Sequence, residues 1–365
     1  MRRELVTAAL VGPQTLPELS PGQWDRLIRQ ARAARMLGRL AVTIERAQLL
    51  DRVPEAPRRH LQAARLLADQ QRIAAEREVL LIRDALARTG VPIVLLKGAA
   101  YAMAGLPVAE GRMFGDIDIL VPRAALADVE SALMLAGWAS IHRDAYDQRY
   151  YRQWMHEIPP MRHLHRGTVI DVHHALVPPT ARIRAHSERM RSACVPLERL
   201  AGLSVLSPGD MVLHSATHLF MEGELDAGLR DLADIDGLLR HFGRDPGFWP
   251  RLGDRAREVG LSRPLHYALR YAVAMLQTSV PRELMRRARE GSPPAALRPL
   301  MDFCFLRALR PGHESCADAA TPAARWLLYV RGHWLRMPAH LLLVHLARKA
   351  FKRDGAEVDG AADRH

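Results

Sequence analysis

The stretch from Ile93 to Val121, IVLLKGAAYAMAGLPVAEGRMFGDIDILV, constrains the fold more than any other part of the chain. Ile93 to Leu96 is a short run of branched apolar side chains, the composition of a buried strand. Lys97-Gly98 ends it, Ala99 to Ala104 reads as a short helix, and Gly105-Leu106-Pro107 breaks that helix. A polar loop with Arg112 leads into Asp116-Ile117-Asp118-Ile119-Leu120-Val121, which alternates and then turns wholly apolar. The stretch therefore predicts strand, turn, helix, loop, strand.

Side chains i and i+2 of a strand share a face. Asp116 and Asp118 then point one way, while Ile117 and Ile119 enter a core. Two neighbouring carboxylates repel each other, and a divalent cation removes the repulsion. Hard cations such as Mg²⁺ or Mn²⁺ take carboxylate and phosphate oxygens together. The pattern points to a metal-binding strand that receives a nucleoside triphosphate. A solvated strand end with two surface acids is the alternative for so short a motif.

Lys97 sharpens this reading. Of 52 Lys+Arg, only Lys97, Lys349 and Lys352 are lysines. A chain that uses Arg almost everywhere places its one lysine of the first 348 residues at the strand end facing the acidic pair. A compact ammonium differs from a planar guanidinium and meets a phosphate as a point charge. A surface lysine without function is the alternative.

The order LLKG, helix, loop Arg, GDIDILV resembles an uncharacterised bacterial nucleotidyltransferase family within the polymerase-β-like superfamily. The resemblance runs from the first helices to about residue 240. It implies a third acid on a later strand, which here is Asp171 in Thr168-Val-Ile-Asp-Val-His-His174. The wider superfamily has Gly-Ser at the turn; here Lys97-Gly98-Ala99 stands in its place, eighteen positions from Gly98 to Asp116. The strand itself supports the third acid. Val169, Asp171 and His173 share one face, and an Asp inside an apolar strand needs a cationic partner or a metal.

The rest of the chain reads as helical flanks around this core. Ser20 caps a helix that begins at Pro21, with Trp24, Leu27, Ile28 and Ala31 at helical spacing. A second helix covers about Met36 to Ala47. A long one runs from Arg58 to Thr89, closed by Gly90, with a stripe at Leu61, Ala64, Leu67, Ile73, Leu80 and Leu81. Arg123 to Ala136 is a helix and Trp138 to His142 a strand. Tyr146 to Arg166 has the composition of a strand, interrupted by Pro159-Pro160. Arg166-Gly167 turns into the Asp171 strand. From Ser207 the chain is all-helical. There His214 and His218 stand four apart, a weak zinc pattern without a third ligand. Asp234-Ile235-Asp236 repeats the D-x-D on a helical period, where i and i+2 face apart, and is set aside as a decoy. A last helix runs from Ala323 to about Arg353, kinked at Pro338. Its tryptophans and arginines suit peripheral contact with an anionic membrane through 323–353, although such a stripe is also what a core face looks like.

The net charge of +12 calls for an anionic partner, while 5% aromatic residues is low for a base-stacking RNA surface. Cys194, Cys304 and Cys316 form no C-x-x-C pair, which speaks against a zinc knuckle or a disulfide framework and fits a reducing cytoplasm. No signal peptide and no run of ~18 apolar residues is evident.

The expected fold is α+β: a small mixed sheet with helices on it (91–200), a helical lead-in (1–90), an all-helical region (201–353) and a disordered tail (354–365). The expected activity, implied by the resemblance, moves a nucleoside monophosphate from an NTP, taken as ATP, to an unidentified acceptor. Asp116, Asp118 and Asp171 hold Mg²⁺ or Mn²⁺; Lys97, Gly98 and Arg112 hold the phosphates. A non-catalytic nucleotide sensor on the same fold and a basic nucleic-acid-binding protein are the competing readings.

Overall fold

The computed structural model describes residues 4–337 apart from 142, 143, 199 and 222. Its centre is a seven-stranded mixed sheet. The strands are β1 (Ile93–Leu95), β2 (Asp116–Leu120), β3 (Trp138–Ser140), β4 (Met161–His163), β5 (Val169–His173), β6 (Val195–Pro196) and β7 (Leu203–Val205). They lie in the order β3-β4-β5-β2-β1-β7-β6. β2 is parallel to β5 and antiparallel to β1, and β1 is parallel to β7. The two strands carrying the acids are thus neighbours in the middle of the sheet. The sheet takes in Leu203–Val205, so it continues past residue 200 before the helical region starts at Pro208.

One face of the sheet packs on the core. Ile117, Ile119, Ile170 and Val172 are all nearly inaccessible, as the alternation requires. Helices flank the sheet in sequence before and after it, so the architecture is α+β.

In the lead-in, Pro21–Ala33 is capped by Ser20, whose side chain accepts from Gln23 N–H while the Gln23 side chain accepts from Ser20 N–H. The helices Leu37–Arg46 and Glu55–Leu86 cross closely at Gly38. A Cβ there would stand 2.7 Å from Gly111 O and 3.1 Å from Ala68 Cβ, so only glycine fits. The buried stripe of the long helix is Leu61, Ala68, Ala75, Val79, Ile82 and Leu86. The expected stripe was drawn through Leu67 and Ile73, which are exposed. Hydrophobicity favoured the large residues, whereas the close crossing selects alanine.

Two further expectations are corrected. Residues Ala145–Trp154 form a helix and not a strand. Tyr150 and Trp154 are four apart and meet edge to face at 6.1 Å, a helical i,i+4 contact that outweighs the β-preference of aromatics. The last helix spans Thr321–Arg336, and Met337 is already extended (φ −140°, ψ 153°). A residue before proline avoids the helical region, and the described helix ends at Arg336; the expected kink at Pro338 lies outside the described residues. The expected continuation to Arg353 and the expected disorder of 354–365 lie outside the described residues. Among the described residues no helix is long and apolar enough to cross a membrane.

Candidate functional site

The pairing of β2 with β5 builds the site. Asp118 lies opposite Asp171 and Asp116 opposite Val169, in a parallel register that puts all three acids on the face turned away from the core. Each offers a carboxylate oxygen within 4.8 Å of the other two. Asp116 is exposed, Asp171 partly buried and Asp118 buried. Asp171 Oδ1 is buried with no hydrogen-bond partner, an arrangement that costs about 1–3 kcal/mol or more unless something fills it.

The charges around these acids differ. Burial pushes the Asp171 carboxyl up, and the negative charges of Asp118, Glu157 and Asp116 push it further, to about 8. Burial works in the same direction on Asp118, but Lys97 and His173 overcome it and hold that carboxyl well below the usual range. Lys97 Nζ donates to Asp118 Oδ1 at 2.9 Å. His173 Nε2 lies 3.0 Å from the same oxygen, and its Nδ1 lies 3.2 Å from Glu157 Oε2. Burial lowers the His173 pKa, yet the two flanking carboxylates raise it by more.

Lys97 opens the helix Lys97–Met103 directly after β1, with a positive φ of 45°. A side-chain-bearing residue held in that region stores about 1–3 kcal/mol of strain, as is common at ligand-binding turns. Gly98, beside it, meets Arg112. A Cβ on Gly98 would sit 2.5 Å from Arg112 Nη1 and 3.0 Å from its Cζ.

Arg112 itself is buried and does not reach the acids. Its Nε donates to Asp234 Oδ2 at 2.9 Å, and its Nη1 to Met113 O at 3.2 Å. Arg39 donates to the other oxygen of Asp234 at 2.6 Å and to Val108 O at 2.8 Å. The guanidinium of Arg112 thus forms the floor of the Lys97-Gly98 turn, and Asp234 locks it there.

Asp234-Ile235-Asp236, set aside as a decoy in the sequence, bears directly on the turn. Asp236 faces the other way, to Arg240 and Thr278, but Asp234 anchors Arg112. The signal was in the sequence, since an acid set among Leu232, Ala233 and Ile235 needs a buried cation. Glu157 was also missed, hidden in the segment read as an interrupted strand. His214 and His218 line a small cavity with Lys97, His156 and His173. Neither is in a metal-ligand group among the described residues. Burial, with the nearby Lys97 charge, keeps both rings neutral.

The mixed sheet thus brings three carboxylates from two parallel strands together beside the Lys97 turn. The chain belongs to a family of uncharacterised nucleotidyltransferases, which matches residues 20–277. No curated protein and no solved structure matches it.

Proposed function

We propose that the protein transfers a nucleoside monophosphate from an NTP, ATP being the first candidate, to an acceptor and releases pyrophosphate. The observation that carries this reading is the convergence of Asp116, Asp118 and Asp171 within 4.8 Å of one another, beside Lys97. The donor set fits a hard divalent cation: oxygen ligands only, with one buried carboxylate oxygen that lacks any partner. Asp116, Asp118 and Asp171 would hold Mg²⁺ or Mn²⁺ there, and the metal would supply charge stabilisation to an in-line displacement.

The chain's own groups do the rest. Lys97 and the Gly98 N–H are assigned to the β- and γ-phosphates. Lys97 exchanges Asp118 for phosphate, and His173 keeps Asp118 Oδ1 oriented meanwhile. Asp171 is assigned to the acceptor side, where its orphaned oxygen completes the set. Arg112 supports the phosphate turn from below rather than touching the nucleotide. On the same reading the exposed Trp326, Leu327 and Trp334 make peripheral contact with an anionic membrane.

The test is a thermal-shift screen of the four NTPs with Mg²⁺ or Mn²⁺, followed by pyrophosphate release with the NTP that stabilises most. Stabilisation without release would reduce the protein to a nucleotide-binding module. No stabilisation by any NTP would sink the reading.

A further inference from the structure

Directly behind the acids, the backbone assembles a second group of ligands. Glu157 and His173 are partners in an isolated antiparallel bridge. His156 O accepts from the N–H groups of His174 and Ala175, and Ile158 N–H donates to Val172 O. The segment leaving the helix Ala145–Trp154 is therefore fastened to the end of β5. Through it His156, Glu157 and His173 each bring a ligand atom within 4.8 Å of the other two. His156 Nδ1 is buried and makes no hydrogen bond. Beside His156 and His173 is a cavity of about 30 Å³, lined also by Lys97, His214 and His218, large enough for one water-sized group.

We propose that His156, Glu157 and His173 form a second metal site, for a borderline divalent cation such as Zn²⁺, distinct from the site of the three aspartates. Two imidazoles and one carboxylate are a set that zinc takes, with its fourth position left open. Here the cavity supplies room for that fourth ligand. Mg²⁺ prefers oxygen ligands and belongs with the aspartates, so the two sites sort their ions by ligand chemistry. Asp118 is the orienting group. It holds His173 Nε2 at 3.0 Å while Nδ1 faces Glu157, the carboxylate–histidine–metal arrangement that fixes a ligand ring. Burial, the largest influence on His156, keeps that ring in the neutral form that ligation requires. The Lys97 ammonium beside the site is paired with Asp118 at 2.9 Å.

Such an ion ties the 156–158 segment to β5 and, through the shared imidazole, stiffens Asp118. It leaves the Asp118 oxygen not used by His173 and Lys97 for the aspartate site.

The test is calorimetric titration of the full chain with Zn²⁺ in excess Mg²⁺ and without nucleotide, repeated with Co²⁺ and read by its visible d–d absorption. The expected result is one Zn²⁺ per chain, weakened at least ~10-fold in His156→Ala and in the near-isosteric Glu157→Gln, and retained in Asp116→Asn. Isotherms unchanged in both His156→Ala and Glu157→Gln would overturn the site, because the ion would then sit on other histidines. Loss of Zn²⁺ in Asp116→Asn alone would assign the ion to the aspartates instead. Because no NTP is present, failure here is separable from failure of the nucleotidyl-transfer reading.

Discussion

Asp171 is the residue at which charge, burial and function meet, and its behaviour with pH follows from its surroundings. Its carboxyl rises from 3.8 to about 8 on folding, first through burial and then through the negative charges of Asp118, Glu157 and Asp116, which His173 only partly offsets. The folded chain then holds this proton more tightly than the unfolded one. The stabilising contribution is complete below the unfolded value and is lost as pH rises to about 8. In metal-free protein, melting temperatures of the parent and of Asp171→Asn should diverge across that window, with the variant relatively more stable at the alkaline end. Parallel profiles would show that Asp171 carries no such shift. Metal must displace the proton, so Mg²⁺ affinity should rise over the same window. Lys97 gives the second residue-scale prediction. Its positive φ and its 2.9 Å bond to Asp118 leave a short, exact reach for an ammonium. A guanidinium is wider and planar, and a misplacement of about 1 Å can cost about 10²-fold in rate. Lys97→Arg should lose turnover to that extent at unchanged melting temperature; full pyrophosphate release would sink the claim.

At the scale of elements, the phosphate turn depends on a helix far along the chain. The buried set Arg39–Asp234–Arg112 joins the helices Leu37–Arg46 and Gly228–Phe242 to the floor beneath Gly98. Asp234→Asn leaves two buried guanidinium groups without their carboxylate and should cost about 3–5 kcal/mol, measured by denaturant unfolding. Gly98→Ala drives a methyl into Arg112, which its ion pair prevents from moving away. NTP binding should fall with a smaller loss of stability than in Asp234→Asn, and an unaltered nucleotide affinity would show that the floor does not matter. This coupling also marks the limit of sequence reading. The i,i+2 rule accounts for Asp234 and Asp236 facing apart, yet it says nothing of what a buried acid does alone. The Ala145–Trp154 helix was misread because aromatic content was weighed above the four-residue spacing of Tyr150 and Trp154.

On the scale of the whole molecule, local patterns carried the strands, caps and breaks, because period and capping chemistry are local. Strand order is not local. That β5 sits beside β2, in a register that pairs Asp118 with Asp171, is a contact across 53 positions that only the sheet reveals. The same holds for Glu157, brought to His173 by an isolated bridge. One surface remains unclaimed by the core. Trp326 and Trp334 are 63% and 44% exposed on the helix Thr321–Arg336, with Leu327 beside them, beyond the stretch matched by the family. Arg331 does not serve this face, since it donates inward to Phe220 O and lies over Tyr267 and Phe305. Arg182 does, with its guanidinium 3.8 Å over the Trp334 ring. Interfacial tryptophans and a chain of net charge +12 suit an anionic bilayer surface, to which each basic residue near the surface adds about 1 kcal/mol. The protein should sediment with phosphatidylserine-containing vesicles, less so at high salt because charges are screened, and not with neutral ones. The double variant Trp326→Ala, Trp334→Ala should stay in the supernatant while NTP-dependent stabilisation, which rests on the acids of β2 and β5, is kept. Equal sedimentation of parent and double variant would assign the attraction to charge alone and remove the tryptophans from it.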